Sequence, residues 1–115
     1  MTVTELLVVV VIIGLLSTMA LPMFTKILEK AKLDEAINNL NLIAAGERIY
    51  MKEVGCYIEI PKLNIENPNA PSSYFEYTAT DLGDNFEAEA VRKSGPYKDD
   101  KYIIRKDGNI TGPLL

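Results

Sequence analysis

The sequence places one acidic side chain where a charge is costly. Glu5 stands at the head of an apolar segment, and no charged residue occurs between Leu6 and Thr25. A carboxylate at the edge of such a segment is treated first as a functional group, because it needs a cationic partner. The nearest candidate is the α-amino group of Met1, in the same chain or in a neighbouring one. On the residues alone, such an ion pair and a Glu5 that lipid headgroups solvate are equal alternatives.

The rest of the composition excludes several other functions. The chain has no His and one Cys among 115 residues, which excludes His-based acid–base chemistry, His metal sites and an internal disulfide. With 12 basic and 16 acidic residues spread along it, the net charge of −4 argues against nucleic-acid binding. No nucleophile–base pair is evident, so we expect no enzyme activity. Cys56 is expected to be a buried small hydrophobic residue, the alternative being a free thiol.

The apolar segment is long enough to cross a membrane. A helix rises about 1.5 Å per residue, so the 20 residues from Leu6 to Thr25 cover roughly 30 Å, the thickness of a bilayer core. A cleaved signal peptide is not indicated, because no basic region precedes the segment and no A-x-A site follows it. The chain therefore divides into a hydrophobic transmembrane helix at 1–25, an amphipathic continuation at 26–54 and a small domain at 55–115.

Gly14 and Pro22 mark the weakest part of this helix. Proline has no N–H and its ring opposes the carbonyl four residues earlier, that of Thr18, so we expect a kink near Pro22. Gly14 weakens the same stretch by about 1 kcal/mol relative to Ala. The stretch is either a source of extensibility or a static kink.

Apolar residues continue with a helical period through residues 26–54. Leu33, Ile37, Leu40 and Ala44 lie on one face, whereas Glu47 is grouped with the polar positions. Gly55 is the expected C-terminal cap of the helix. Part of the opposite face is predicted to meet neighbouring subunits.

The remaining sequence predicts a loop and a small sheet. Residues 56–73 contain three prolines and several Asn, and we expect no regular structure there. Alternation predicts strands at 74–80, 85–93 and 101–106. The predicted fold class is α+β: a long N-terminal helix, kinked near Pro22, with a three-stranded antiparallel sheet packed on its C-terminal half.

The N-terminal sequence MTVTELLVVVVIIGLLSTMALPMFTKILEKAKLDEA resembles the N-terminal segment of type IV pilins and of type II secretion pseudopilins. The likeness covers Glu at position five, two leucines, a Val/Ile run, Gly14, and Pro22 before a charged amphipathic helix. It implies the ladle-shaped pilin fold, with residues 1–25 in the filament core. It also implies that Glu5 pairs with the N-terminus of a neighbouring subunit and so fixes the register between subunits. Met1 departs from the Phe that most members have.

The resemblance also implies processing, partners and location. A prepilin peptidase removes a basic leader in this family, so we expect Met1 to be the mature, N-methylated first residue. Lys26, Lys30 and Lys32 follow the apolar segment and on their own favour a cytoplasmic domain. A removed basic leader would resolve that conflict. The expected partners are identical subunits, the inner membrane before assembly and the assembly machinery. The expected final location is a filament on the cell surface.

Two further motifs concern the C-terminal domain. Calcium, which major pseudopilins bind, is considered because the chain cannot form the disulfide of many type IV pilins. The candidate ligands are Asp81, Asp84, Asp99, Asp100 and Asp107. Their spacing matches no compact loop motif, so turn chemistry is preferred and no cofactor is predicted. Asn109 begins an N-x-T sequon and is either a glycosylation site or a turn residue.

The resemblance and the residues together predict a major structural subunit of a type IV pilus-like filament. The alternative is the major pseudopilin of a type II secretion system. A monomeric membrane protein with one span accounts for the apolar segment but not for Glu5.

Overall fold

The computed structural model describes residues 2–115, apart from the side chains of residues 20 and 22. One helix is followed by a 3₁₀ turn and an antiparallel sheet, which establishes the α+β class. The elements are helix α1 (Val3–Val54), the 3₁₀ turn (Ile60–Lys62) and strands β1 (Phe75–Asp81), β2 (Phe86–Arg92), β3 (Lys101–Arg105) and β4 (Ile110–Thr111). The chain forms two compact units, one ending at Ala31 and the other covering Lys32–Leu115.

Helix α1 ends where the sequence predicts. It covers 52 residues, and the backbone of Gly55 directly after it has a φ of +92°. A side chain would be strained in that left-handed conformation, so glycine suits the position. The Gly55 N–H still donates to the Met51 carbonyl at 2.9 Å. The chain therefore leaves the helix without a break in hydrogen bonding.

The core of the second unit lies between α1 and one face of the sheet. The predicted helical stripe is confirmed, because Leu33, Leu40 and Ala44 are buried and Ile37 packs against them. The buried sheet residues alternate along their strands, as period-two patterning requires. The apolar members are Phe75, Tyr77, Phe86, Ala88, Ala90, Tyr102 and Ile104. Aromatic pairs join them, with the Phe75 and Tyr102 ring centroids 6.0 Å apart.

The sheet has four strands rather than the predicted three. Its order is β1-β2-β3-β4, and every neighbouring pair is antiparallel. The additional strand β4 has two residues, too few for alternation to be visible, and its pairing with Ile103 and Ile104 creates it. Gly112 follows so close to the Tyr102 ring that a Cβ would overlap with it. Strand pairing and this close packing hold the tail in place of a disulfide.

The connection between α1 and the sheet is more ordered than the sequence predicts. Ile60–Lys62 form a 3₁₀ turn with Pro61 at its start, and Ile60 and Leu63 are buried beside it. Farther along, Asn69 pairs with β1: its Oδ1 accepts the Tyr77 N–H at 2.7 Å, and its Nδ2 donates to the Tyr77 carbonyl at 2.8 Å. The segment is shaped by side chains that pack inward, which loop composition does not reveal.

Cys56 is exposed, so the prediction that it is buried is wrong. The helix has just ended, and the turn through Gly55 brings the next residue, Tyr57, into the core instead. The Tyr57 and Phe86 ring centroids are 5.0 Å apart. The Tyr57 side chain has more apolar surface than the Cys56 thiol, so the burial of Tyr57 is more favourable and Cys56 is left at the surface.

Candidate functional site

The head of α1 is organised by two residues that bond to each other. The Thr2 N–H donates to Glu5 Oε2 at 3.1 Å, and the Glu5 N–H donates to Thr2 Oγ1 at 3.2 Å. This reciprocal pair is a capping box, in which each side chain satisfies a backbone N–H that the helix leaves unpaired. The positive end of the helix dipole also favours a carboxylate in the first turn. Both residues remain exposed.

The capping box gives Glu5 a local partner that our sequence interpretation did not include. The signal was present, because Thr followed by Glu three residues later at the start of an apolar helix is a known cap pattern. Met1, the predicted partner and methylation site, lies outside the described residues. Pairing of Glu5 with an α-amino group therefore stays a prediction, and the cap shows how the carboxylate is held at the helix end.

The surface behind Glu5 is apolar along the first half of α1. Every large hydrophobic residue described from Val3 to Leu28 is exposed, by between 44% and 82%. The helix is long and apolar enough to cross a membrane by its length and composition. An uncovered apolar surface of this extent requires lipid or other protein around it.

The hydroxyl groups within the apolar segment bond to the helix itself. Ser17 Oγ donates to the Ile13 carbonyl at 2.8 Å, and Thr18 Oγ1 donates to the Leu15 carbonyl at 2.7 Å. Such bonds let polar side chains face an apolar medium without another partner. The helix continues through Gly14 and Pro22, although the Pro22 side chain lies outside the described part. The predicted extensibility at these residues stays untested.

Glu47 is the buried charge-bearing residue that our sequence interpretation placed wrongly. It lies on the core face of α1 and is fully buried, whereas the pattern grouped it with polar surface positions. Glu47 Oε2 accepts the Ile58 N–H at 2.9 Å, while Oε1 is buried without a hydrogen-bond partner among the described residues. Burial raises the pKa of Glu47, the Ile58 N–H lowers it, and the charge of Asp81 raises it further. The helical periodicity of apolar residues alone cannot distinguish a buried glutamate from a solvated one.

Two of the acidic residues considered for calcium, Asp81 at the end of β1 and Asp107 after β3, accept hydrogen bonds within turns. Asp81 Oδ1 accepts the Gly83 N–H at 2.9 Å, and Asp107 Oδ1 accepts the Asn109 N–H at 3.0 Å. These are side-chain turns in which Asp stabilises a change of chain direction. Among residues 2–115, no group of three Asp, Glu, His or Cys residues is arranged to hold a metal ion. Asp81 and Asp107 therefore have turn roles that need no ion.

The sequon lies at the turn between β3 and β4. Asn109 and Thr111 are exposed, and Gly108 before them has a φ of +81°. The bond from the Asn109 backbone to Asp107 leaves its side-chain amide at the surface. The structure thus gives Asn109 a turn position with access from solvent, and its modification stays a prediction.

Comparisons of the chain with protein-family models, with curated proteins and with solved structures gave no match.

Proposed function

We propose that this chain is the major structural subunit of a type IV pilus-like filament. The observation that carries the proposal is the exposed apolar half of α1, headed by the Glu5 carboxylate and followed by a separate small α+β unit. A monomer would hold this half in the cytoplasmic membrane. Assembly would then exchange lipid for the same apolar surface of identical subunits, with the C-terminal domains outside the helical bundle.

In this proposal Glu5 has two successive roles. In the monomer it completes the capping box with Thr2, which holds the carboxylate at the helix end. In the filament it pairs with the α-amino group of a neighbouring subunit. Near 4 Å such a pair is worth about 4 kcal/mol at an effective dielectric constant of about 20, before the cost of desolvation is subtracted. A subunit out of register would leave the carboxylate buried without its cation.

The second candidate is the major pseudopilin of a type II secretion system. One observation favours it over a typical pilin: the chain's single cysteine is exposed, and strand β4 and Gly112 hold the tail instead of a disulfide. A pseudopilin would form a short filament that stays within the cell envelope. The two functions share the assembly chemistry of Glu5 and differ in where the filament is found.

The test is mass spectrometry of material sheared from the surface of cells that produce the chain. We expect a high-molecular-weight filament fraction whose N-terminal peptide begins at Met1 and carries an added methyl group. A formylated, unmethylated Met1 that is found only in membranes would overturn the filament function. A processed subunit found only in the envelope would favour the pseudopilin.

Two variants in the same experiment separate the roles of Glu5. Gln also completes a capping box, so Glu5→Gln keeps the cap and removes the charge. Thr2→Ala removes the threonine side of the cap and keeps the charge, at a cost of about 1 kcal/mol to the helix end. We expect Glu5→Gln to lower the filament yield more than tenfold and Thr2→Ala to lower it less. Normal filaments from Glu5→Gln would show that capping, not pairing, is the role of Glu5.

A further inference from the structure

The second unit has an apolar groove on the side of α1 that faces away from its core. It has a volume of about 230 Å³. Leu42 and Ile49, which line it, expose 43% and 58% of their surface. The groove, called the outer groove below, is lined by Leu42, Ala45, Gly46, Ile49, Tyr50, Glu53, Asn64 and Ile65. Leu42, Ala45 and Ile49 form a second stripe of α1, distinct from the stripe that covers the sheet, while Tyr50 and Ile65 also pack against the core.

The loop after the 3₁₀ turn forms the second wall of the outer groove. A Cβ on Gly46 would lie 3.1 Å from Ile65 Cγ2, so the loop rests almost on the helix backbone there. Ala45 beside it is also small, which leaves the space between Leu42 and Ile49 open. The small residues Ala45 and Gly46 therefore leave a depression between Leu42 and Ile49. A depression of this shape accepts apolar side chains from another helix.

Carboxylates surround the outer groove. Glu53 lines it directly. Leu42 also lines the neighbouring depression, to which Glu35 and Glu66 belong. An occupant that fits this surface therefore combines apolar side chains with nearby positive charge.

The chain itself contains such a segment. Phe24, Ile27 and Leu28 follow the i, i+3, i+4 spacing of one helix face, and all three are exposed, by 58%, 60% and 44%. Lys30, three residues after Ile27, is exposed and flanks this stripe, whereas Lys26 and the buried Glu29 lie on the other side of the helix. The segment 24–30 thus has an apolar stripe flanked by one positive charge, which complements an apolar groove lined by the Glu53 carboxylate.

We propose that the outer groove of one subunit binds the 24–30 segment of a second copy of the chain. Phe24, Ile27 and Leu28 enter the groove, and Lys30 lies near Glu53. The proposal rests on the filament function, because it names the surface by which one subunit receives another. It assigns a contact at the C-terminal half of α1 that is separate from the Glu5 pair.

The experiment is cross-linking between two differently tagged chains in the cell that assembles the filament. Both carry Cys56→Ser; one also carries Leu28→Cys and the other Ile49→Cys, and each is a minority beside the Cys56→Ser parent. A short bifunctional maleimide should give a heterodimer in the sheared filament fraction. The matched control replaces Ile49→Cys by Asn41→Cys, an exposed position on another side of α1, and should give at least tenfold less product.

Charge reversal provides an independent measurement. Glu53→Lys should lower the heterodimer yield by up to about fivefold, the effect of one exposed ion pair. Lys30→Glu in the opposite chain should restore it. Equal yields with Ile49→Cys and Asn41→Cys, or loss without restoration in the paired reversal, would overturn the docking site.

The two proposals fail in different ways. If the Cys56→Ser parent forms sheared filaments but the heterodimer is absent, the docking site is wrong and the filament function stands. If neither the parent nor the unsubstituted chain forms filaments, the filament function is wrong and the docking site falls with it.

Discussion

At the scale of single residues, the burial of Glu47 has the clearest effect on the stability of the fold. Its carboxyl is buried among core side chains and holds the Ile58 N–H, so it anchors the segment that leaves the helix to the helix itself. Removal of the side chain would leave that N–H unpaired, at a cost of about 1–3 kcal/mol. Burial disfavours the charged form, and Oε1 has no hydrogen-bond partner among residues 2–115, so the fold is coupled to pH.

The sign of that coupling follows from the raised pKa of Glu47. Below the ordinary carboxyl value of 4.5, Glu47 is protonated in both the folded and the unfolded chain. As pH rises above that value, the unfolded chain loses the proton first while the folded chain retains it. Stability therefore falls with rising pH until the folded carboxyl also ionises, at no more than about 1.4 kcal/mol per pH unit for one group.

We predict that Glu47→Gln reduces this pH dependence, because the amide oxygen still accepts the Ile58 N–H and the side chain no longer titrates. The measurement is urea unfolding of the full chain in detergent between pH 4.5 and 8, followed by near-ultraviolet circular dichroism. Glu76→Gln, at an exposed position in β1, is the matched control and should keep the wild-type slope. A slope that Glu47→Gln leaves unchanged would contradict the prediction.

At the scale of elements, the two halves of helix α1 differ in how much of their apolar surface is buried. Its first half is exposed and apolar, and its second half buries one stripe against the sheet. Gly14 lies in the exposed half, where an added Cβ would meet no atom within 4 Å outside the local helix. Packing among the described residues therefore does not require a glycine at position 14. Its remaining effect is that it weakens the helix at this point.

We predict that Gly14→Ala strengthens this stretch by about 1 kcal/mol and slows amide hydrogen exchange across residues 14–22 by about fivefold. Exchange would be measured by mass spectrometry on sheared filaments and on the detergent-solubilised chain. Val8→Ala changes helix propensity outside the stretch and should leave exchange at 14–22 unchanged. Equal exchange in Gly14→Ala and the unsubstituted chain would rule out this stretch as the weak part.

The elements that the sequence predicts well are those with long, regular patterns. The end of α1 at Gly55 and three strands follow from periodicity and turn residues, with bounds within one residue of the observed ones. The two-residue strand β4 and the 3₁₀ turn at Ile60 depend on partners distant in sequence, so local pattern does not show them. The burial predictions for Glu47 and Cys56 are wrong for the same reason: tertiary packing overrides residue type at both positions.

The candidate site was predicted in part. Glu5 stands out by its charge beside an apolar segment, but its bond to Thr2 was missed because the carboxylate was assigned a partner in another chain. The outer groove needs the loop at Ile65 as its second wall, and no pattern in the sequence places that loop against Gly46.

At the scale of the whole molecule, the exposed Cys56 reports on which side of the membrane the second unit lies. The lysines after the apolar segment favour the cytoplasm, whereas the filament function needs the opposite side. We predict that a membrane-impermeant maleimide labels Cys56 in spheroplasts, with one label per chain. The measurement is intact mass after quenching.

Cys56→Ser is the control for that labelling and should remain unmodified. Labelling that occurs only after the membrane is opened would place the domain in the cytoplasm and contradict the proposed assembly route. Because the chain has one cysteine, each added mass corresponds to this position.

The pairing of Asn69 with Tyr77 has a consequence for how subunits can meet. Strand β1 is at one end of the sheet order, and its free edge is the kind of surface on which proteins aggregate by adding strands. The Asn69 amide occupies the N–H and carbonyl of Tyr77 that an incoming strand would use. In the proposed filament function, monomers held in one membrane would meet often, and the Asn69 amide would hinder their joining edge to edge at Tyr77.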